Sequence, residues 1–180
     1  MPKIDESLRA LAEAREHDPF GVLGLHRDGS GWRLRVLRPG IRSVAVKAGG
    51  DFVPLRRIAD TDFFEWQGTV APATPCQLRV DDGSAIRLEF DPYSFAPQPL
   101  PDDLFLFAEG SNYQSYLFLG ALPDSRDGVR GITFRVWAPN AGRVSVVGDF
   151  NAWDGRTHPM ASLGASDVWE LFLPELAPGR

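Results

Sequence analysis

Only one stretch of this chain repeats its apolar residues at helical spacing. Ile4, Leu8, Leu11 and Ala12 share a face, which predicts a short N-terminal helix over 5–16. Asp5 or Ser7 can cap its start, and His17-Asp18-Pro19 ends it, because a residue preceding proline is pushed out of the α region. Beyond that point the period is two. Segments 32–37, 43–47, 77–80 and 85–90 alternate apolar and polar residues. Turn-forming runs separate them, among them Arg27-Asp28-Gly29-Ser30-Gly31, Arg38-Pro39-Gly40 and Asp81-Asp82-Gly83. Short alternating strands with frequent turns predict a mainly β fold of the sandwich type.

The pattern occurs twice. Arg35-Val36-Leu37-Arg38-Pro39 is echoed by Arg135-Val136-Trp137-Ala138-Pro139, an offset of 135 − 35 = 100, and Val44 and Val46 then match Val144 and Val146. Asp62-Phe63-Phe64-Glu65 is echoed by Asp167-Val168-Trp169-Glu170, an offset of 167 − 62 = 105. Any two sandwiches share strand–turn–strand texture. Here proline, charged and apolar positions agree in order, which favours a duplicated domain. The expected organisation is a helix plus first β-sandwich over 1–92, a connector over 93–122 and a second sandwich over 123–180. The connector follows a proline-rich run, 91–101, expected to be extended, and carries Phe105, Phe107, Tyr113, Tyr116 and Phe118. So many aromatics predict that it packs against one or both modules. In the first copy Asp91 closes the module 91 − 65 = 26 residues after Glu65. The same spacing carries the second copy to 170 + 26 = 196, so this module is expected to be C-terminally incomplete at Arg180, short of two strands.

Composition narrows the function classes. In 180 residues, 43% are hydrophobic and 24% charged, which suits packed domains rather than disorder. The net charge of −5 comes without a basic stripe, so no nucleic-acid partner is expected. Cys76 is the single cysteine, and three scattered histidines give no zinc spacing; neither metal nor cofactor is predicted. The acidic start, Met1 to Glu6, lacks the apolar core of a signal peptide, and the longest apolar run, 104–108, is too short to span a bilayer. A cytoplasmic protein with no membrane partner is the expectation.

The densest chemical signal is Val144-Ser145-Val146-Val147-Gly148-Asp149-Phe150-Asn151-Ala152-Trp153-Asp154, an alternating strand running into a turn. An indole offers a broad apolar face and one N–H donor. That suits the C–H face of a pyranose, with an amide nearby for hydroxyls, which makes Trp153 and Asn151 the candidate glycan-binding residues. By pattern alone, packing on its own sandwich is the commoner fate of such a ring, with Asn151 merely shaping the turn. Trp137, Trp169, Trp32 and Trp66 are expected in the core. The first copy has Gly49-Gly50-Asp51-Phe52 in place of the Asn-x-Trp turn. His17-Asp18 has no nucleophile beside it, and Asp81-Asp82 before Gly83 reads as a hairpin turn rather than a metal site. Glycoside chemistry needs two carboxyls held across the scissile bond, and no motif here suggests such a pair, so no catalytic residue is assigned.

Several segments resemble bacterial glycogen (1,4-α-glucan) branching enzymes. They are Asp18-Pro19-Phe20-Gly21-Val22-Leu23-Gly24-Leu25-His26, Asp91-Pro92-Tyr93, Leu106-Phe107-Ala108-Glu109-Gly110, Phe134-Arg135-Val136-Trp137-Ala138-Pro139-Asn140-Ala141 and the run Val146 to Arg156. The last two elements are shared with debranching and trehalose-forming relatives and with glycogen-binding modules; the first module with its Asp-Pro-Phe-Gly opening narrows the choice. Gly120-Ala121-Leu122-Pro123 departs from the pattern, which has His before Pro. The resemblance implies tandem immunoglobulin-like sandwiches, the second a family-48 carbohydrate-binding module, ahead of an α-amylase-type barrel absent from these residues. It implies an α-glucan partner, contact with that barrel, and Trp153 as a glycan-stacking residue. The parent would cut α-1,4 bonds and rejoin chains as α-1,6 branches, while these 180 residues alone would be inactive. The alternatives are a stand-alone glycogen-binding or scaffold protein, or the N-terminal modules of a debranching or trehalose-releasing enzyme.

Overall fold

A computed structural model describes residues 6–13, 18–98, 101–110 and 113–177. Helix α1 spans Glu6–Ala12 and turns Leu8 and Leu11 inward, each 1% exposed. Burying a leucine of this kind contributes about 1.5–3 kcal/mol, enough to dock a helix too short to stand alone in water. Asp5 and His17 lie outside the described residues. After them the Asp18 side chain accepts the Phe20 N–H at 3.0 Å and opens a 3₁₀ turn over Pro19–Gly21. The Phe20 ring then meets Tyr93 edge-on at 5.1 Å.

Eight strands follow: β1 Gly24–Asp28, β2 Gly31–Leu37, β3 Ser43–Ala48, β4 Asp51–Pro54, β5 Arg56–Arg57, β6 Phe63–Gly68, β7 Gln77–Asp81 and β8 Ile86–Phe90. They form two antiparallel sheets, ordered β1-β2-β6-β5 and β4-β3-β7-β8. Leu34 and Val36 from one sheet share a core with Val44, Val46, Leu78 and Val80 from the other. This is the alternation read from the sequence, converted into a sandwich. Cys76 is buried in the same core, which pushes its thiol up to about 11. The Asp81-Asp82-Gly83 run is the expected hairpin: Asp82 accepts the N–H groups of Ser84 and Ala85, and Asp81 that of Gly83. The chain leaves this sandwich over Gly24, where an added Cβ would lie 2.7 Å from the Tyr93 carbonyl.

A second helix, α2 (Pro101–Ala108), lies in the connector, where the sequence reading expected packed aromatics and named no helix. The fixed φ of a proline suits the first helical position. The second copy then contributes β9 Gly120–Arg126, β10 Val129–Trp137, β11 Ala161–Ser162 and β12 Val168–Pro174, in an antiparallel sheet ordered β11-β12-β10-β9. Trp169, Leu171 and Leu173 face a core shared with Leu8, Leu11, Leu37, Phe63 and Tyr93, so the helix and both copies meet in one apolar cluster. The opposite face carries Phe172, which the connector's Phe95 meets edge-on at 4.9 Å. The connector therefore packs where the sequence predicted, although Phe105, Tyr113 and Tyr116 are exposed.

The duplication is written into the hydrogen bonds. Arg35 pairs with Glu65 across β2–β6, and Arg135 with Glu170 across β10–β12. The bond from Leu55 N–H to Val44 O, 2.8 Å, recurs as Met160 to Val144, 2.8 Å. Ile58 to Phe63 recurs as Leu163 to Val168, and Arg38 to Asp62 as Ala138 to Asp167. The offset grows from 144 − 44 = 100 to 160 − 55 = 105, which locates five additional residues in the second copy between these positions.

Two expectations fail. Residues 144–147 form no strand; Ser145 makes only an isolated bridge to Pro159. Their equivalent, β3, lies between β4 and β7, whereas among the described residues the second copy has a partner on one side only. Trp137 is 52% exposed rather than in the core. β9 ends its pairing at Gly120 opposite Arg135, so among the described residues Trp137 has a strand partner only on the β12 side, and its ring leans on Phe107 of α2 at 5.8 Å. Trp169 is buried as expected, with its N–H on the Ala138 carbonyl at 3.2 Å. Trp32 and Trp66 are half-buried.

Candidate functional site

The five additional residues make the candidate site. In the first copy β3 turns into β4 through Gly49, whose φ of 66° a side chain would strain. In the second copy the chain detours through a 3₁₀ turn at Asp149–Asn151, then Ala152 and Trp153 at φ 52° and 60°. A bulky residue at positive φ is strained backbone, and such strain persists only where surrounding bonds hold it.

Asn151 does the holding. Its Oδ1 accepts the Gly148 N–H at 2.9 Å, and its Nδ2 donates to Val146 O at 2.9 Å and to His158 Nδ1 at 2.9 Å. The amide orientation is fixed, because the Gly148 N–H can only donate. His158 Nδ1 is then an acceptor, so the neutral ring carries its proton on Nε2. Burial, helped by the Arg38 charge, pushes the His158 pKa down to about 3. Asn151 thus stands beside Trp153 as sequence predicted, but its amide braces the turn. Arg143 adds a bond to Gly155 O at 2.7 Å. Arg156 ties the turn to Asp154 at 2.7 Å and to Asp62 of the first module at 3.5 Å. The Arg156 bonds hold Asp154 below the usual carboxylate range.

On this frame the Trp153 ring stands 66% exposed, with its N–H donated to Asp149 Oδ1 at 2.9 Å. The bond fixes one edge of the ring and leaves its apolar surface to solvent. Asp149 holds the Trp153 N–H and Asp154 holds the Arg156 guanidinium, so each carboxylate is engaged within the turn. Among the described residues no group of histidine, cysteine, aspartate and glutamate has the arrangement of a metal site. Sequence reasoning missed Asp149 and His158; the four-residue spacing of Asp149 from Trp153 was an available signal, whereas His158 reaches Asn151 only through the fold of the loop.

Two family models match the chain. Residues 5–93 match the family model of the alpha-1,4-glucan branching enzyme GlgB N-terminal domain, and residues 118–180 match that of carbohydrate-binding module 48, the isoamylase N-terminal domain. The 1,4-alpha-glucan branching enzyme GlgB of Methylobacillus flagellatus is 42% identical over 174 residues, covering 97% of this chain and 24% of the relative. Those of Nitrosospira multiformis and Methylococcus capsulatus are 44% identical, covering 96% and 99% of this chain and 24% of each relative.

The chain belongs to the 1,4-alpha-glucan branching enzyme family, as its N-terminal region.

It spans about a quarter of the length of these GlgB relatives. The GlgB N-terminal model covers α1 and the first sandwich, and the family-48 model covers the Trp153 turn with the sheet that supports it. Among the described residues no helix is long and apolar enough to cross a membrane.

Proposed function

We propose that these residues serve as the non-catalytic α-glucan-holding part of a cytoplasmic branching enzyme, which cuts α-1,4 chains and reattaches them as α-1,6 branches. The division into modules 1–92 and 123–180, joined by a connector over 93–122, belongs to the same reading. Trp153 is the glucan contact, and Asn151 belongs to the site as the clamp that presents it. The observation carrying this reading is an indole 66% exposed on a turn whose strained backbone is braced by the side-chain hydrogen bonds of Asn151 and Trp153. A tryptophan kept only for packing would not be held out into solvent at a backbone cost.

Affinity electrophoresis of the protein in gels containing soluble glycogen tests it. Trp153→Ala removes the ring and should weaken binding about fivefold, a shift of about 1 kcal/mol, with the circular dichroism unchanged. Equal retardation of variant and parent would place the contact elsewhere. Loss of the folded spectrum would make Trp153 a structural residue.

A further inference from the structure

The Trp153 turn does not stand over open solvent. Between it and the β7–β8 hairpin of the first module lies a cleft of about 490 Å³, within the size range of small-ligand sites. Phe150, Asn151 and His158 line it from the second module; Asp82, Arg87 and Glu89 line it from the first. Asp149, which holds the Trp153 N–H, also lines it, so one residue of the turn touches both the ring and the cleft.

Its chemistry is that of a polyol site. Phe150 gives an apolar wall, tilted against the His158 ring at 5.7 Å. His158 uses Nδ1 on Asn151, and its Nε2–H has no partner among the described residues. Arg87 spends Nη1 on Asp82 at 2.8 Å, with its side chain 55% exposed and its other N–H groups unpartnered among the described residues. A guanidinium fork beside a carboxylate offers donors and acceptors at the spacing of vicinal hydroxyls. Charge argues against an anionic occupant. Arg38 and Arg87 face Asp82, Glu89 and Asp149, and His158 is neutral.

We infer that the glucan surface continues from Trp153 into this cleft, so that the first module, through Arg87, contacts glucosyl units beyond the one stacked on the indole. The inference rests on the proposed role of Trp153. It predicts a dependence on chain length, because a short oligosaccharide satisfied by the ring does not reach Arg87 and a longer one does.

Nuclear magnetic resonance titration of ¹⁵N-labelled protein with maltotriose and with maltoheptaose separates the two readings. Arg87 is exposed on an edge strand, and Arg87→Ala should leave the maltotriose dissociation constant unchanged. The same variant should weaken maltoheptaose about threefold or more, with Arg87→Gln recovering part of the loss. Trp153→Ala should weaken both sugars. If Arg87→Ala binds maltoheptaose like the parent while Trp153→Ala weakens both, the cleft is not used and the Trp153 reading stands. Equal weakening of both sugars by Arg87→Ala overturns the inference, as does displacement of maltoheptaose by inorganic phosphate. If Trp153→Ala binds both sugars like the parent, the Trp153 reading falls and the inference with it.

Discussion

Glu170 is the residue on which the second copy's sheet and the connector converge. Its side chain is 1% exposed. One oxygen accepts from Arg126 Nη2 and from the Gln98 N–H, each at 2.9 Å; the other accepts from Arg135 Nε at 2.5 Å. The two arginine side chains are themselves 3% and 8% exposed. Glu170→Gln keeps the shape and removes the charge. Arg126 retains Asp124 at 3.0 Å, while Arg135 loses its acid, and the amide NH₂ must face an arginine donor. Leaving a buried charge uncompensated costs about 3–5 kcal/mol. In a chain of this size that lowers the melting temperature by about 6–20 °C. Glu65→Gln, the equivalent change in the first copy, should cost less, because Glu65 faces one buried arginine, Arg35, and the 81%-exposed Arg56. Glu13→Gln breaks an exposed pair with Arg9 and should cost less than about 1 kcal/mol. Thermal unfolding of the three variants by circular dichroism gives the ranking. A Glu170→Gln melting temperature as close to the parent's as that of Glu13→Gln would refute the reasoning.

Two further outcomes follow from the same physics. Asp91 is fully buried, its carboxyl oxygens make no hydrogen bond among the described residues, and burial, opposed by Arg38, pushes its pKa up to about 6. An acid whose folded pKa is raised costs stability as pH climbs from its unfolded value near 3.8 through 6, so Asp91→Asn should gain on the parent by up to about 3 kcal/mol between pH 4 and pH 7.5. Urea midpoints at the two pH values check this, and a constant gap between the proteins would contradict it. Incubated with amylose, the 180-residue chain should leave iodine colour and debranched chain profiles unchanged; protein-dependent α-1,6 branching would overturn the non-catalytic reading.

The sequence by itself determined the local elements and their duplication. Period-two alternation placed β2, β3, β7 and β8, because the side chains of a strand alternate between its two faces wherever the strand finally packs. The repeat that sets Arg135 and Glu170 against Arg35 and Glu65 marked two copies of one pattern, the interval growing from 65 − 35 = 30 to 170 − 135 = 35 residues. It also exposed the added turn that carries Asn151 and Trp153. Which surfaces are covered was decided only by the tertiary structure, because burial depends on partners distant in the chain. Trp137 sits on a strand yet is half exposed, since β9 stops beside Arg135. Residues 144–147 alternate like β3 but lack its second neighbour. Asn151 looked like a ligand amide and became a brace once Val146, Gly148 and His158 closed around it. The cleft joining Arg87 to His158 has no signature in the chain, because its two walls lie 158 − 87 = 71 residues apart and meet only when the two copies pack on their shared core.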